Sequence, residues 1–173
     1  MADINRIHRK GDIKTLFEIR LDWLQDDRGI LTSNEVKDTI RVALPPAFGG
    51  EKDQWSPEHL LLGAVSSCYM TTYLVFTRKL DFAISHFECH TIGTIEMVNG
   101  KYEFTTINVY PSIYIADELF REKAITAMQK TQKYCLVSNS LKTNIIYHGQ
   151  VLNENYTGHD KRIENGAMIE NKS

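Results

Sequence analysis

The chain has three cysteines among its 173 residues, and a cysteine thiolate can act as a nucleophile, a metal ligand or a redox group. They are Cys68, Cys89 and Cys135. Three cysteines are too few for a disulfide scaffold, and the first residues, MADINRIHRKGDIK, lack the apolar stretch of a secretory signal. We therefore expect a cytoplasmic protein whose thiols stay reduced as core residues, metal ligands or reactive groups.

A second set of side chains suited to chemistry lies in the segment HFECH around Cys89. His86, Glu88 and His90 recur with a period of two, so on a strand they would share one face and could ligate a metal with Cys89 close by. Histidines and carboxylates on a strand face are more often solvated surface, and we favour that interpretation. We expect no metal and no other cofactor.

Composition and charge exclude several classes of partner. The formal net charge is -2 with acidic and basic residues interspersed, which predicts no basic patch for nucleic acid or an anionic membrane surface. We find no run of about 18 apolar residues that would predict a membrane span. With 42% hydrophobic residues, the length fits one domain at residues 1–151, followed by a polar, loose tail at residues 152–173.

Alternating apolar and polar residues predict that much of the chain is extended. The first strand places Phe17, Ile19, Leu21 and Trp23 on one buried face, and a turn follows at residues 26–29. Asn99-Gly100 is a hairpin signal between two long strands. The predicted strands are residues 17–23, 36–44, 82–98, 102–115 and 144–151, with Pro111 at an edge or a bulge.

A helix is predicted to begin at Ser56-Pro57-Glu58 and to carry Cys68. Serine is a good cap, proline fits the first helical position, and a carboxylate is favourable near the positive end of the helix dipole. The residues that follow are apolar nearly all round, which predicts a helix buried on most of its surface.

A second helix is predicted from Asp117 to Tyr134 and leads directly into Cys135. The order of elements is strands, helix, hairpin, helix and strand, without βαβ repeats. We therefore predict an α+β fold with a mostly antiparallel sheet.

Two segments resemble motifs of the OsmC/Ohr family, the osmotically inducible and organic hydroperoxide resistance proteins. FGGEKDQWSPEHLLLGAVSSC, with its glycines, its proline-glutamate helix start and its final cysteine, is similar to the segment around that family's peroxidatic cysteine. KYCLVSNSLK is similar to its resolving-cysteine segment, although Leu136 stands where the family commonly has proline. The order of elements is also similar, so the resemblance covers residues 15–150.

The resemblance implies an OsmC-like fold, in which sheets wrap two central helices, and an intertwined homodimer. It also implies a thiol peroxidase for organic hydroperoxides. Cys68 would become a sulfenic acid, Cys135 would condense with it to a disulfide, and a dithiol such as a lipoylated protein would reopen that bond. An apolar wall would favour large hydroperoxides, and the residues we expect in it are Phe48, Leu61, Val65, Tyr69 and Met70.

Such a peroxidase needs Cys68 as a thiolate, so something must lower the pKa of Cys68. The helix start at Ser56 is too distant for the dipole to act, and apolar neighbours would raise the pKa. In the family an arginine acts on the cysteine and is steadied by the glutamate that matches Glu58. Arg28 is our first choice for this arginine, and Arg41 is the alternative.

The position of Glu58 creates a geometric difficulty. Ten residues of straight helix would separate Glu58 and Cys68 by about 15 Å along the axis, on different faces. We therefore predict a break near Gly63. One unbroken helix with no arginine near the sulfur of Cys68 would count against a triad of Cys68, the arginine and Glu58.

Other interpretations stay open. Each candidate residue also has a structural interpretation: Cys68 as a core residue, Glu58 as a first-turn carboxylate, Arg28 as a solvated turn residue and Cys135 as an unreactive thiol. Catalysis is favoured only because the two cysteine segments occur together. Two alternative functions are an OsmC-like redox sensor or apolar-ligand-binding protein without turnover, and a metal-binding protein that uses HFECH.

Overall fold

Strands and helices are combined in the structure, a computed structural model that describes residues 15–154, 161–164 and 167–170. The chain divides into two compact units, Met1–Pro57 and Glu58–Ser173. The described part of the first unit is mainly strand, whereas the second unit contains a mixed sheet together with the long helices. The predicted α+β class is confirmed. The boundary between a domain at residues 1–151 and a tail stays a prediction.

The first unit contains a meander of three antiparallel strands, β1 (Arg20–Gln25), β2 (Arg28–Ser33) and β3 (Val36–Ala43). Strands β1 and β3 match two predicted strands in part. Strand β2 was not predicted, since residues 28–29 were assigned to a turn. Ile30 and Leu31 are adjacent apolar residues, which breaks the alternation by which a strand with one buried face is detected.

The apolar face predicted for the first strand is exposed. Phe17, Ile19, Leu21 and Trp23 are each between 60% and 82% accessible, so the prediction of a buried face is wrong for the chain alone. Within the described residues of the first unit, no second layer packs on this face. Alternation records which side chains point the same way, but burial needs a partner surface.

A loop follows β3, as predicted from its prolines and glycines. Pro46–Phe48 form one turn of 3₁₀ helix, and Gly49 ends it with a left-handed φ of 92°. A Cβ on Gly50 would lie only 1.7 Å from the carbonyl oxygen of Leu44, so only glycine fits at this close approach.

The long helix α1 (Pro57–Lys79) begins at the predicted residue and runs without interruption through Gly63. The predicted break is therefore wrong. Glycine weakens a helix only modestly, and the burial of one stripe of α1 stabilises the helix as a whole. Its buried residues are Val65, Tyr69, Tyr73 and Thr77, a stripe with a spacing of four.

The opposite side of α1 is not covered by the described residues. The expected burial on most of its surface included burial in a dimer, so it stays a prediction. Exposed positions include Gly63, Ser67, Met70 and Thr71. Among the described residues, α1 is the one helix that is long and apolar enough to cross a membrane. The core helices of soluble proteins can have the same length and composition, so this finding is weak evidence for a membrane span.

The predicted hairpin is confirmed as β4 (His86–Val98) and β5 (Lys101–Ile115). Asn99 and Gly100 join them with φ values of 51° and 79°, the left-handed pair that a two-residue turn of this kind needs. The strands alternate between a face that packs on α1 and a face that carries His86, Glu88 and His90.

Strand β5 lies inside the sheet. It also pairs in parallel with β6 (Asn144–Tyr147) and β7 (Gln150–Asn153), the two pieces into which the predicted last strand is divided. Pro111 is buried opposite Cys89, between the β5 segments that pair with β6 and with β7. The expected edge or bulge at Pro111 is therefore wrong: this gap in the pairing accommodates a residue without an N–H.

The second predicted helix is α2 (Arg121–Tyr134), preceded by a 3₁₀ turn at Glu118–Phe120. It buries Ala124, Ala127 and Met128 against Tyr73 and the end of β5. A single helical turn, α3 (Leu136–Asn139), follows Cys135 and was not predicted. In the tail, β8 (Lys161–Glu164) pairs with β9 (Ala167–Glu170), and the looseness of the tail stays a prediction.

Candidate functional site

Cys68 lies in the middle of α1 and is half-buried. The backbone N–H of Val137, in the first turn of α3, donates to its Sγ at 3.5 Å. The hydroxyl of Thr72, one turn further along α1, lies 4.0 Å from the same sulfur. The sulfur is thus held between two elements that are distant in sequence.

Cys135 is fully buried at the junction of α2 and α3. Its backbone N–H closes the last turn of α2 on the carbonyl of Thr131, and its own carbonyl accepts from the N–H of Asn139 in α3. The hydroxyl of Ser138 donates to its Sγ at 3.2 Å. Both cysteines are free thiols, and their side chains hydrogen-bond to each other.

The two thiols have pKa values shifted in opposite directions. Burial raises the pKa of Cys68, but hydrogen bonds, first from the Val137 N–H and then from the Cys135 thiol, lower it below its ordinary value. Thr72 and the backbone of Leu136 add smaller effects of the same sign. Burial raises the pKa of Cys135 above its ordinary value, against a lowering by Ser138. The arrangement therefore favours a Cys68 thiolate beside a protonated Cys135.

The donors on Cys68 were not predicted from the sequence. An arginine was expected to lower the pKa of Cys68, whereas backbone N–H groups at the start of a helical turn also stabilise an anion. Val137 and Leu136 act through their backbones, so their residue types carry no signal. Only Thr72 could have been found, because it is four residues from Cys68 on one helix face.

Glu58 lies in the first turn of α1, as predicted, and is half-buried. Its Oε2 is buried and has no hydrogen-bond partner among the described residues. Because α1 is continuous, about 15 Å of helix separates Glu58 from Cys68. The unbroken helix weakens the part of the triad that depends on Glu58, and the role of Glu58 stays a prediction.

Arg28 begins β2 and forms an ion pair with Glu51 in the loop after β3. This pairing, together with Asp26 and Asp27, raises the pKa of Arg28, so its charge is permanent. Its Nε is buried and has no hydrogen-bond partner among the described residues. Glu51 was not singled out from the sequence, although it precedes Glu58 in the same segment. The alternative arginine, Arg41, is exposed on β3.

The residues expected to form an apolar wall are of two kinds. Val65 and Tyr69 are fully buried core residues, so the expectation that they line an open surface is wrong. The Tyr69 ring packs on Tyr147, with 5.4 Å between ring centroids, and its buried hydroxyl has no hydrogen-bond partner among the described residues. Phe48 and Met70 are partly exposed, at 40% and 36%.

Cys89 is on the face of β4 that packs on α1, where its Sγ lies 3.7 Å from the Thr91 hydroxyl. Burial raises its pKa. Strand alternation puts His86 and Glu88 on the other face, where they pair with each other at 3.2 Å. Within residues 15–154, no group of three or more residues is arranged to hold a metal, so the HFECH hypothesis has no geometric support.

Comparison with known proteins gives a match to the model of one family, described as OsmC-like protein, over residues 49–147. That range includes Glu58, Cys68 and Cys135 but not Arg28. A curated relative, the uncharacterized protein YmaD of Bacillus subtilis (strain 168), is 19% identical over 134 residues, which cover 75% of this chain and 88% of that protein.

Solved structures show the same fold. An OsmC-like protein of unknown function from Vibrio cholerae superimposes with a TM-score of 0.72 at 14% identity, over 79% of this chain and 100% of that chain. An organic hydroperoxide resistance protein from Elizabethkingia anophelis superimposes with a TM-score of 0.65 at 21% identity, over 82% of this chain and 100% of that one. The predicted OsmC-like fold is therefore confirmed.

Proposed function

Because the chain belongs to the OsmC-like protein family, we propose that it is a thiol peroxidase that reduces organic hydroperoxides with Cys68 and Cys135. One observation carries the proposal. The two thiols interact directly, and the one on α1 has a lowered pKa while its neighbour has a raised one. A two-cysteine peroxidase requires one cysteine that readily forms a thiolate and a second, protonated cysteine beside it.

In the proposed reaction the Cys68 thiolate attacks the terminal oxygen of the hydroperoxide. The O–O bond breaks, the alkoxide leaves and takes up a proton to become the alcohol, and Cys68 becomes a sulfenic acid. Cys135 then attacks the Cys68 sulfur, the S–O bond breaks, and water leaves as the disulfide forms. A dithiol, such as a lipoylated protein, reduces the disulfide by thiol exchange.

Arg28 and Glu58 belong to the proposal as supporting residues. Arg28 would supply the positive charge that stabilises the developing anions, and its ion pair with Glu51 would hold the guanidinium in place. Glu58 has one buried carboxylate oxygen without a hydrogen-bond partner in the described part of the chain, and this oxygen would accept a hydrogen bond at the site. Met70, an exposed apolar residue two positions from Cys68 on α1, would favour organic over inorganic peroxide.

We further propose a cytoplasmic homodimer that binds neither nucleic acid nor membranes. The uncovered side of α1 carries small residues at a spacing of four, Gly63, Ser67 and Thr71, which permit close approach of another helix. The Ser67 and Thr71 hydroxyls are satisfied by carbonyls of α1 itself, Ala64 for the first and Ser67 and Cys68 for the second. This side of α1 could therefore pack against another helix without leaving these two hydroxyls unsatisfied. Exposed Trp23 and Leu21 on β1 are further apolar surface for a second copy to cover.

Light scattering after size-exclusion chromatography tests the dimer. We expect the mass of two chains in buffer without detergent, and a shift toward one chain for Ser67→Trp but not for the matched variant Ser67→Ala. A monomeric wild type would contradict the dimer. A protein that stays in the membrane fraction would contradict the cytoplasmic location.

The peroxidase is tested by titrating free thiols and mapping peptides by mass spectrometry before and after one equivalent of cumene hydroperoxide. We expect two thiols to disappear rapidly and a Cys68–Cys135 linkage to form, with one cumyl alcohol per linkage. Cys68→Ser should abolish both, whereas Cys89→Ser should change neither. Thiols that remain reduced in the wild type would contradict the proposal and favour a redox sensor or apolar-ligand-binding protein without turnover.

A further inference from the structure

Ser138 is hydrogen-bonded to the second cysteine of the pair. Its hydroxyl donates to Cys135 Sγ at 3.2 Å, from a position three residues along the chain. The turn that presents it is fixed by backbone hydrogen bonds, because Asn139 N–H donates to the carbonyl of Cys135 and Leu141 N–H to that of Ser138. The hydroxyl is therefore held toward the sulfur by the fold of α3.

The surroundings of Cys135 change when Cys68 is oxidised. With Cys68 reduced, burial is the largest effect that raises the pKa of Cys135, and the hydrogen bond and charge of Cys68 raise it further. A sulfenic acid carries no full negative charge, so oxidation of Cys68 removes that charge repulsion. The hydrogen bond from Ser138, which favours the anion, remains in place.

We propose that Ser138 is a positioning residue for the second half-reaction, in which its hydroxyl stabilises the negative charge that develops on Cys135 as this sulfur attacks oxidised Cys68. The inference rests on the proposed function and explains why the two cysteines react in a fixed order. Cys135 stays protonated while Cys68 is a thiolate and becomes nucleophilic only after Cys68 has reacted. The proton of Cys135 leaves with the hydroxide of the sulfenic acid as water.

The matched variants are Ser138→Ala, Ser138→Thr and Ser140→Ala. Ser138→Ala removes the hydroxyl, whereas Ser138→Thr keeps one. Ser140→Ala removes a hydroxyl from the same turn that donates to the carbonyl of Leu136 and not to a sulfur. A general loosening of α3 would affect Ser140→Ala as well, whereas a specific role for the hydroxyl would not.

Reactions with one equivalent of cumene hydroperoxide, quenched at successive times, separate the oxidation of Cys68 from the formation of the disulfide. We expect Ser138→Ala to consume hydroperoxide at the wild-type rate, but to form the disulfide about tenfold more slowly and to accumulate a sulfenic acid that dimedone traps. The pH midpoint of disulfide formation should move upward. Ser138→Thr should restore both the rate and the midpoint, and Ser140→Ala should leave both unchanged.

A second measurement does not need a hydroperoxide. One equivalent of dithiobis(nitrobenzoate) forms a mixed disulfide on Cys68 and releases one coloured thiolate; attack by Cys135 then forms the Cys68–Cys135 disulfide and releases a second. We expect Ser138→Ala to slow only the second release. Equal second-phase rates and pH midpoints for Ser138→Ala and the wild type would overturn the inference. A slowed second phase in a protein that does not consume hydroperoxide would overturn the proposed function and leave the role of Ser138 intact.

Discussion

The backbone N–H of Val137 donates to Cys68 Sγ at 3.5 Å, although the two residues are 69 positions apart in sequence. This contact joins α1 to the turn that also carries Cys135. It stabilises the anionic form of Cys68 against the cost of burial. An anion on the α1 segment is thus stabilised by the backbone of the α3 segment.

Removal of this N–H should raise the pKa of Cys68. Proline is tolerated in the first turn of a helix, so Val137→Pro deletes the donor while α3 is retained. We expect the pH midpoint of Cys68 alkylation by iodoacetamide to rise by about one unit or more, because a hydrogen bond to a charged group is lost. Val137→Ala keeps the N–H and is the control. An unchanged midpoint in Val137→Pro would show that the donor does not act on the sulfur.

The Cys135 thiol should also support the Cys68 thiolate. Because the pKa of Cys68 is lowered, its alkylation rate should rise with pH through a midpoint below the ordinary value of about 8.5, and that of Cys135 through one above it. Cys135→Ala removes a donor and should move the Cys68 midpoint upward, whereas Cys135→Ser keeps a hydroxyl donor and should move it less. Peptide mass spectrometry across pH 5 to about 10 measures both residues. A downward shift in Cys135→Ala would contradict this role.

The carboxylate that steadies Arg28 should be Glu51 rather than Glu58. Arg28 is ion-paired with Glu51, so Glu51→Gln should reduce the rate of hydroperoxide consumption more than Glu58→Gln does. Arg28→Gln should reduce it by about a hundredfold, as expected for the loss of a charge that stabilises a developing anion. Arg41→Gln is the matched control and should have little effect. If Glu58→Gln has the larger effect, the carboxylate predicted from the sequence is the relevant one.

Two buried tyrosines of α1 should respond oppositely to loss of their hydroxyl groups. The Tyr69 hydroxyl is buried without a hydrogen-bond partner among the described residues, whereas the Tyr73 hydroxyl donates to the carbonyl of Ala124 at 3.4 Å. An unsatisfied buried hydroxyl costs about 1 to 3 kcal/mol, so Tyr69→Phe should increase the free energy of unfolding by about 1 kcal/mol. Tyr73→Phe should decrease it by a similar amount. Urea denaturation monitored by circular dichroism measures both, and a less stable Tyr69→Phe would contradict the prediction.

The local features of the fold were predictable because each is encoded within a few residues. Asn99 and Gly100 tolerate the left-handed φ angles of a tight hairpin, and Ser56 and Pro57 suit the first turn of α1. The exposure of Trp23 on β1 was not predictable in this way. Alternation assigns side chains to a face, whereas burial depends on whether another surface covers that face.

The sequence by itself determined the α+β class, the hairpin, the two long helices and the segments that carry Cys68 and Cys135. Each of these rests on residue types at short spacing. Only the tertiary structure decided that α1 runs unbroken past Gly63 and that the Sγ of Cys68 accepts a hydrogen bond from the backbone N–H of Val137. The physical reason is that every residue except proline has the same backbone N–H. Its direction and its hydrogen-bond partner are set by folding, so they cannot be inferred from the residue type.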